Sequence, residues 1–167
     1  MTSTPLTRAI VTFGYVGYLR PAPGTWGSLA AAVLAVPLIS FGSPALLLGC
    51  IVLSFALGLW ATRRETASGP HDPSEIVVDE VAGQWVALLP IALLFEQRDA
   101  GEAYFYGAVA FAFALFRLFD IWKPWPVSWA DRRTDAWGVM LDDIVAGILA
   151  ALSFLVLIYG MQLYAFD

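Results

Sequence analysis

Asp79-Glu80 and Asp142-Asp143 are adjacent acidic pairs, each near the head of a long apolar run, residues 76–95 and 141–166. Either run is long enough to cross a bilayer at about 1.5 Å of rise per residue. An acid at the middle of a spanning helix costs about 2.5–3.5 kcal/mol on insertion scales, and less near the interface. Two such pairs on separate spans point to one shared cation. The chemistry they suggest is that of a membrane-embedded, metal-dependent enzyme.

Spacing sharpens the comparison. Asp79 is followed four residues later by Gly83, and Asp143 by Gly147, with Val-Ala between in both. A small residue one turn below an acid lets two helices approach closely, so contact at Gly83 and Gly147 would bring Asp79 and Asp143 face to face. Like charges at that range repel unless a proton or cation lies between them. Oxygen donors favour a hard ion, Mg²⁺ first and Mn²⁺ second. Cys50 is the single cysteine, which excludes a thiolate cluster and an intrachain disulfide.

Ahead of the first acidic pair, Asp72, Pro73 and Glu75 have the order of an N-cap, a first helical residue and a capping-box acid. Glu75 also precedes Asp79 by four, so a carboxylate column is an alternative. On this reading Asp79 and Glu80 lie a turn deeper, beyond the amides that need caps. One member of the second pair, Asp142-Asp143, could instead cap its own helix. His71 reads either as a proton shuttle or as a solvated loop residue.

Arg117, Asp120 and Lys123 recur at spacings of three at the end of a third apolar run. They suit a phosphate clamp beside the metal, with Asp120 as a further ligand or an arginine partner; snorkelling to headgroups is the alternative. Residues 23–28 (PGTWGS) combine glycines with the hydroxyls of Thr25 and Ser28 before an apolar segment, a plausible anion cradle at a helix N-terminus. No arginine follows Cys50 as in a cysteine phosphatase loop, and one histidine cannot supply a two-histidine phosphatase. What remains is metal-assisted attack by water.

The elements that must position these groups are helical and apolar. The 167 residues are 59% hydrophobic and 14% charged, with mean hydropathy +0.72, far from the roughly 25% charged residues of a soluble domain. Four stretches are long enough to span: residues 44–62, 76–95, 103–122 and 141–166. A fifth, residues 28–39, covers only about 18 Å as a helix and reads as a re-entrant half-helix returning through the turn at 41–44, with a tilted, poorly formed full span as the alternative. The expected fold is all-α, a single membrane-embedded domain over 1–167 with about four transmembrane helices plus a short N-terminal half-helix. The segment holding Pro5, Gly14 and Gly17 lacks a leader's apolar core, so removal of a leader is not expected.

Eight basic residues flank one side of these spans and only Arg98 falls in the opposite loop. The positive-inside rule then puts the N-terminus in the cytoplasm and the C-terminus outside. The unusual acids all gather on that cytoplasmic side. Six of the seven tryptophans (Trp26, Trp60, Trp122, Trp125, Trp129 and Trp137) belong there too, as interfacial indoles. Residues 122–137, broken by Pro124 and Pro126, read as a connector lying on the surface. Net charge of −5 with no basic stripe argues against nucleic acid as a partner.

Taken together, residues 21–28 (PAPGTWGS), 76–83 (IVVDEVAG), 116–126 (FRLFDIWKPWP), 131–132 (DR) and 138–147 (GVMLDDIVAG) resemble the phosphatidylglycerophosphatase A family. The resemblance spreads over most of the chain, and the DIWKPWP run is particularly specific. It implies a Mg²⁺-dependent enzyme of the bacterial inner membrane that removes the terminal phosphate of phosphatidylglycerophosphate, leaving phosphatidylglycerol. It carries onto Asp79, Glu80, Asp120, Asp142 and Asp143 as the acidic site, with Asp79, Glu80 and Asp143 as its catalytic members. Thr25, Arg117 and Lys123 are then the residues on the phosphate side. Such a substrate keeps its phosphomonoester in the headgroup layer and its acyl chains in the bilayer, the depth at which the acids lie.

Intramembrane carboxylates and a half-helix are also features of small transporters. Against that class, the acids cluster at one interface instead of the midplane, and four spans leave little for alternating access. A lipid phosphotransferase with a di-acid metal site is a further alternative, but the spaced multi-acid motif of the CDP-alcohol enzymes is absent.

Overall fold

A computed structural model describes residues 3–68, 73–95 and 101–165. His71, Asp72, Arg98 and Asp99 lie outside the described residues. The described residues form seven α-helices in order: α1 (Pro5–Val11), α2 (Pro23–Phe41), α3 (Pro44–Glu65), α4 (Val78–Phe95), α5 (Glu102–Trp122), α6 (Val127–Asp131) and α7 (Ala136–Ala165). No strand occurs among the described residues. The all-α expectation holds.

Among the described residues, four helices are long and apolar enough to cross a membrane: α2, α3, α5 and residues Ala136–Met161 of α7. Between 17% and 33% of their most apolar stretches is buried inside the bundle. The outward surface carries Leu48, Val52 and Leu53 on α3 and Leu152 and Val156 on α7, side chains suited to lipid and not to water. The expected half-helix is longer than its sequence suggests. It begins at Pro23 and runs for 19 residues, about 28 Å, because the glycine-bearing stretch after Pro23 is its first turns and not a loop. Pro23 fills the first helical position, where no N–H is needed. A two-residue joint, Gly42-Ser43, then reverses the chain, and the Ser43 hydroxyl accepts from the Leu46 amide at 3.2 Å to cap α3.

The fifth long helix, α4, stands at the centre and packs on α7, α2, α3 and α5. Val81, Ala82, Gln84, Trp85, Ala87, Leu88, Ile91 and Ala92 are all buried along it. Trp85 alone of the tryptophans lies in the core, its Nε1 donating to the Ala31 carbonyl of α2 at 2.9 Å. Helix α4 starts at Val78, later than the capping signals at Asp72–Glu75 indicate. Glu75 lies in a turn, and the Val77 amide donates to the Val11 carbonyl at 2.8 Å. A tertiary hydrogen bond to the end of α1 ties up residue 77 ahead of the helix, so Glu75 and Asp79 share no helical face.

Helices α4 and α7 meet backbone to backbone. A Cβ added at Gly147 would collide with the Gly83 carbonyl oxygen, and one at Gly83 with the Asp143 carbonyl oxygen. The contact expected from the paired Asp-x-x-x-Gly pattern is present. Helix α5 ends at Lys123, which adopts a left-handed conformation (φ 48°) and turns the chain into the short α6. Asp135 starts α7 by accepting from the Gly138 amide at 3.0 Å.

Candidate active site

One end of the bundle collects the starts of α2, α4 and α7 with the ends of α3 and α5. Asp79 and Glu80 occupy the first turn of α4, which corrects the expectation that they lie beyond the amides in need of partners. The Asp79 Oδ1 accepts from the Glu80 amide at 3.0 Å, and a helix N-terminus favours carboxylates there. The second pair behaves in the opposite sense. Helix α7 begins at Ala136 and is capped by Asp135, so Asp142 and Asp143 lie nearly two turns inside it and cap nothing. Asp79, Asp142 and Asp143 are buried, and Glu80 is largely so.

Asp79, Glu80 and Asp143 each offer a carboxylate oxygen, and these three atoms lie within 4.8 Å of one another. Oxygens on opposite sides of a Mg²⁺ ion are about 4.2 Å apart, so the trio is nearly of the size that ion requires. The Glu80 Oε2 is buried without a hydrogen-bond partner. All-oxygen, anionic donors with an unpaired buried atom fit a hard divalent cation, and they do not fit a soft one.

The two cations are already engaged. Arg117 reaches Asp120 at 2.5 Å and donates to the Ser28 hydroxyl at 3.3 Å; Asp120 also lies within hydrogen-bond reach of Asp143. Lys123 bonds Asp142 at 2.8 Å and Asp131 of α6, tying α5, α6 and α7 together. Burial works against the Lys123 ammonium, but its hydrogen bonds to Asp131 and Asp142 hold its pKa above the ordinary range. Asp120 and Asp142 thus stand beside the trio, each turned to a cation. Five carboxylates (Asp79, Glu80, Asp120, Asp142 and Asp143) face two cations, and that excess draws in positive charge.

The first turn of α2 closes the arrangement. A Cβ at Gly24 would strike Glu80 Oε1 and lie 3.5 Å from an Arg117 terminal nitrogen, so this helix start sits directly on the acids. Thr25 follows it, half-buried. Sequence reasoning passed over Gln84, fully buried in α4, and it gave Asp131 no role; a polar residue four positions after Glu80 in an apolar run was the available signal for the former. Around this end lie exposed indoles, Trp122, Trp125 and Trp129 among them. Arg64 stacks over Trp60 at 4.2 Å, and Arg63 over Trp137 at 5.5 Å.

Residues 9–158 match the family model for phosphatidylglycerophosphatase A. The chain belongs to that family. It is 38% identical to a phosphatidylglycerophosphatase A of Haemophilus influenzae over 159 residues, 94% of this chain and 91% of that one. It is 34% identical to the Escherichia coli phosphatidylglycerophosphatase A, covering 85% of this chain and 78% of the relative. A Bacteroides thetaiotaomicron protein provisionally named phosphatidylinositol-3-phosphatase is 36% identical, over 79% of this chain and 80% of its own. No solved structure matches. Membership makes the chain a phosphatase, and the transporter alternative is not favoured.

Proposed function

We propose that this chain hydrolyses phosphatidylglycerophosphate to phosphatidylglycerol and phosphate, with Mg²⁺, at the cytoplasmic interface of a bacterial inner membrane. The observation that carries the proposal is the meeting of an Asp79–Glu80–Asp143 oxygen trio with Arg117 and Lys123 at one end of an apolar bundle. Asp79, Glu80 and Asp143 hold the ion, with Asp120 and Asp142 supporting from the flank. Mg²⁺ bound there supplies a more acidic water and screens the phosphoryl charge. Arg117 and Lys123 bind phosphoryl oxygens, Lys123 exchanging its exposed partner Asp131 for the substrate. The orphan amides in the first turn of α2 and the Thr25 hydroxyl complete the anion site. Hydrolysis forms a bond from the water oxygen to phosphorus and breaks the bond from phosphorus to the glycerol oxygen, which leaves with a proton.

The substrate's depth agrees with the site's position. Acyl chains stay against the apolar faces of the bundle, and only the phosphomonoester must reach the acids. Phosphate release by protein purified in detergent tests the proposal, with phosphatidylglycerophosphate and phosphatidylinositol 3-phosphate offered side by side. Preferential release from phosphatidylglycerophosphate is expected. No release from it, with turnover of the inositol lipid, would reassign the substrate.

A further inference from the structure

Gln84 is wholly buried, and neither its amide nitrogen nor its amide oxygen has a hydrogen-bond partner. Two nearby site residues hold buried atoms in the same condition, Glu80 Oε2 and Arg117 Nε; Thr62 Oγ1 on α3 is the one further such atom among the described residues. An unpaired buried polar group is destabilising, so an amide with both ends unpaired requires an explanation.

Helical geometry supplies one. Gln84 follows Glu80 by four residues on α4, and helical side chains lean toward the N-terminus, so its amide reaches back toward the turn that carries Glu80. Glu80 Oε1 sits against Gly24 of α2. One turn on in α2, Ser28 accepts from Arg117. Glu80 Oε2 is an acceptor lacking a donor, and Gln84 Nε2 is a donor lacking an acceptor. The two needs are complementary and one helical turn apart.

We infer that Gln84 is a positioning residue for Glu80: its Nε2 donates to Glu80 Oε2 through one buried water and so fixes the carboxylate for cation binding. The inference rests on the reading of Asp79, Glu80 and Asp143 as the metal site. An apolar residue of equal size would satisfy the packing at position 84 without the cost of an unpaired amide. Gln84 therefore has a use that packing alone does not give it.

Mn²⁺ binding to the purified protein, followed by electron paramagnetic resonance of the free ion, tests this. Gln84→Met keeps the volume and removes both polar groups. Its Mn²⁺ affinity should fall by about tenfold or more, the usual loss when a ligand's supporting hydrogen bond is removed. Thermal stability should be unchanged or raised. Adding Gln84→Met to Glu80→Gln should weaken binding no further than Glu80→Gln alone, the non-additivity expected of coupled residues.

Wild-type affinity in Gln84→Met, where Glu80→Gln has lost affinity, overturns the inference. Wild-type affinity in Glu80→Gln overturns the metal-site reading instead. Should Gln84→Met fail to fold, Gln84→Asn decides on the same readout. Its shorter side chain should bind Mn²⁺ several-fold more weakly, and wild-type affinity would count against Gln84.

Discussion

Gly147 lies against the carbonyl oxygen of Gly83, so α4 and α7 touch backbone to backbone one turn below Asp79 and Asp143. That contact sets the distance between the acids of the two helices. A methyl group inserted there must push the helices apart or shift them along one another.

Gly83→Ala should therefore affect the site as well as the fold. Its Cβ would collide with the Asp143 carbonyl and lie 2.7 Å from Phe116 Cε2. Overpacking of this kind costs about 1–3 kcal/mol. Thermal unfolding in detergent should record the loss, and phosphatase activity should fall by more than the unfolded fraction explains. Gly107→Ala, where a Cβ meets open space, should be neutral or slightly stabilising.

Lys123→Met removes the charge that joins Asp131 on α6 and Asp142 on α7 while keeping the apolar stem. Activity should drop by about tenfold or more, as expected when a charged contact in a water-poor site is lost. The folded-state pKa of Lys123 is raised above 10.5. Its contribution to stability is thus fully present below 10.5 and is lost only as pH rises through the higher folded value. Asp131→Asn, at the exposed end of the link, should cost less activity than Asp142→Asn; the reverse order would remove Asp142 from the site.

Arg117→Lys tests the second cation. A single ammonium cannot keep the Asp120 carboxylate and the Ser28 hydroxyl together as the guanidinium does. Catalytic efficiency should fall about tenfold, with a smaller change in thermal stability. Kinetics equal to wild type would show that Arg117 only pins α5 to α2.

Much of this arrangement was legible in the residue pattern. The repeated Asp-x-x-x-Gly gave the α4–α7 contact, and the distribution of cations gathered the acids at one end. Helix starts were less legible. Asp72, Pro73 and Glu75 carry strong local capping signals, yet the Val77 amide bonds to Val11, some sixty residues earlier in the chain, and delays α4. Gly24 and Gly27 suggest a loop by propensity, but both lie inside α2, packed closely on Glu80 and Val77. The pairing of Lys123 with Asp131 could not be read, because it depends on how α6 folds back onto α7.

Topology is open to cysteine labelling in a Cys50→Ser background. Gly101 has open space around it, and Thr134 lies in the turn before α7. In intact cells a cysteine at position 101 should react with an impermeant maleimide, and one at position 134 only after permeabilisation. Labelling of position 134 from outside would place the acids on the wrong side of the membrane for the proposed reaction.

Mg²⁺-dependent phosphate release from phosphatidylglycerophosphate, compared between wild type, Asp79→Asn and Asp143→Asn, tests the central claim most directly. Asparagine keeps the size of each side chain and removes the charge that holds a hard cation. Wild-type protein should lose activity with chelator and regain it with Mg²⁺, whereas each variant should insert normally and stay largely inactive across the Mg²⁺ titration. Turnover near the wild-type rate in either variant, or wild-type turnover indifferent to chelator, would contradict the account.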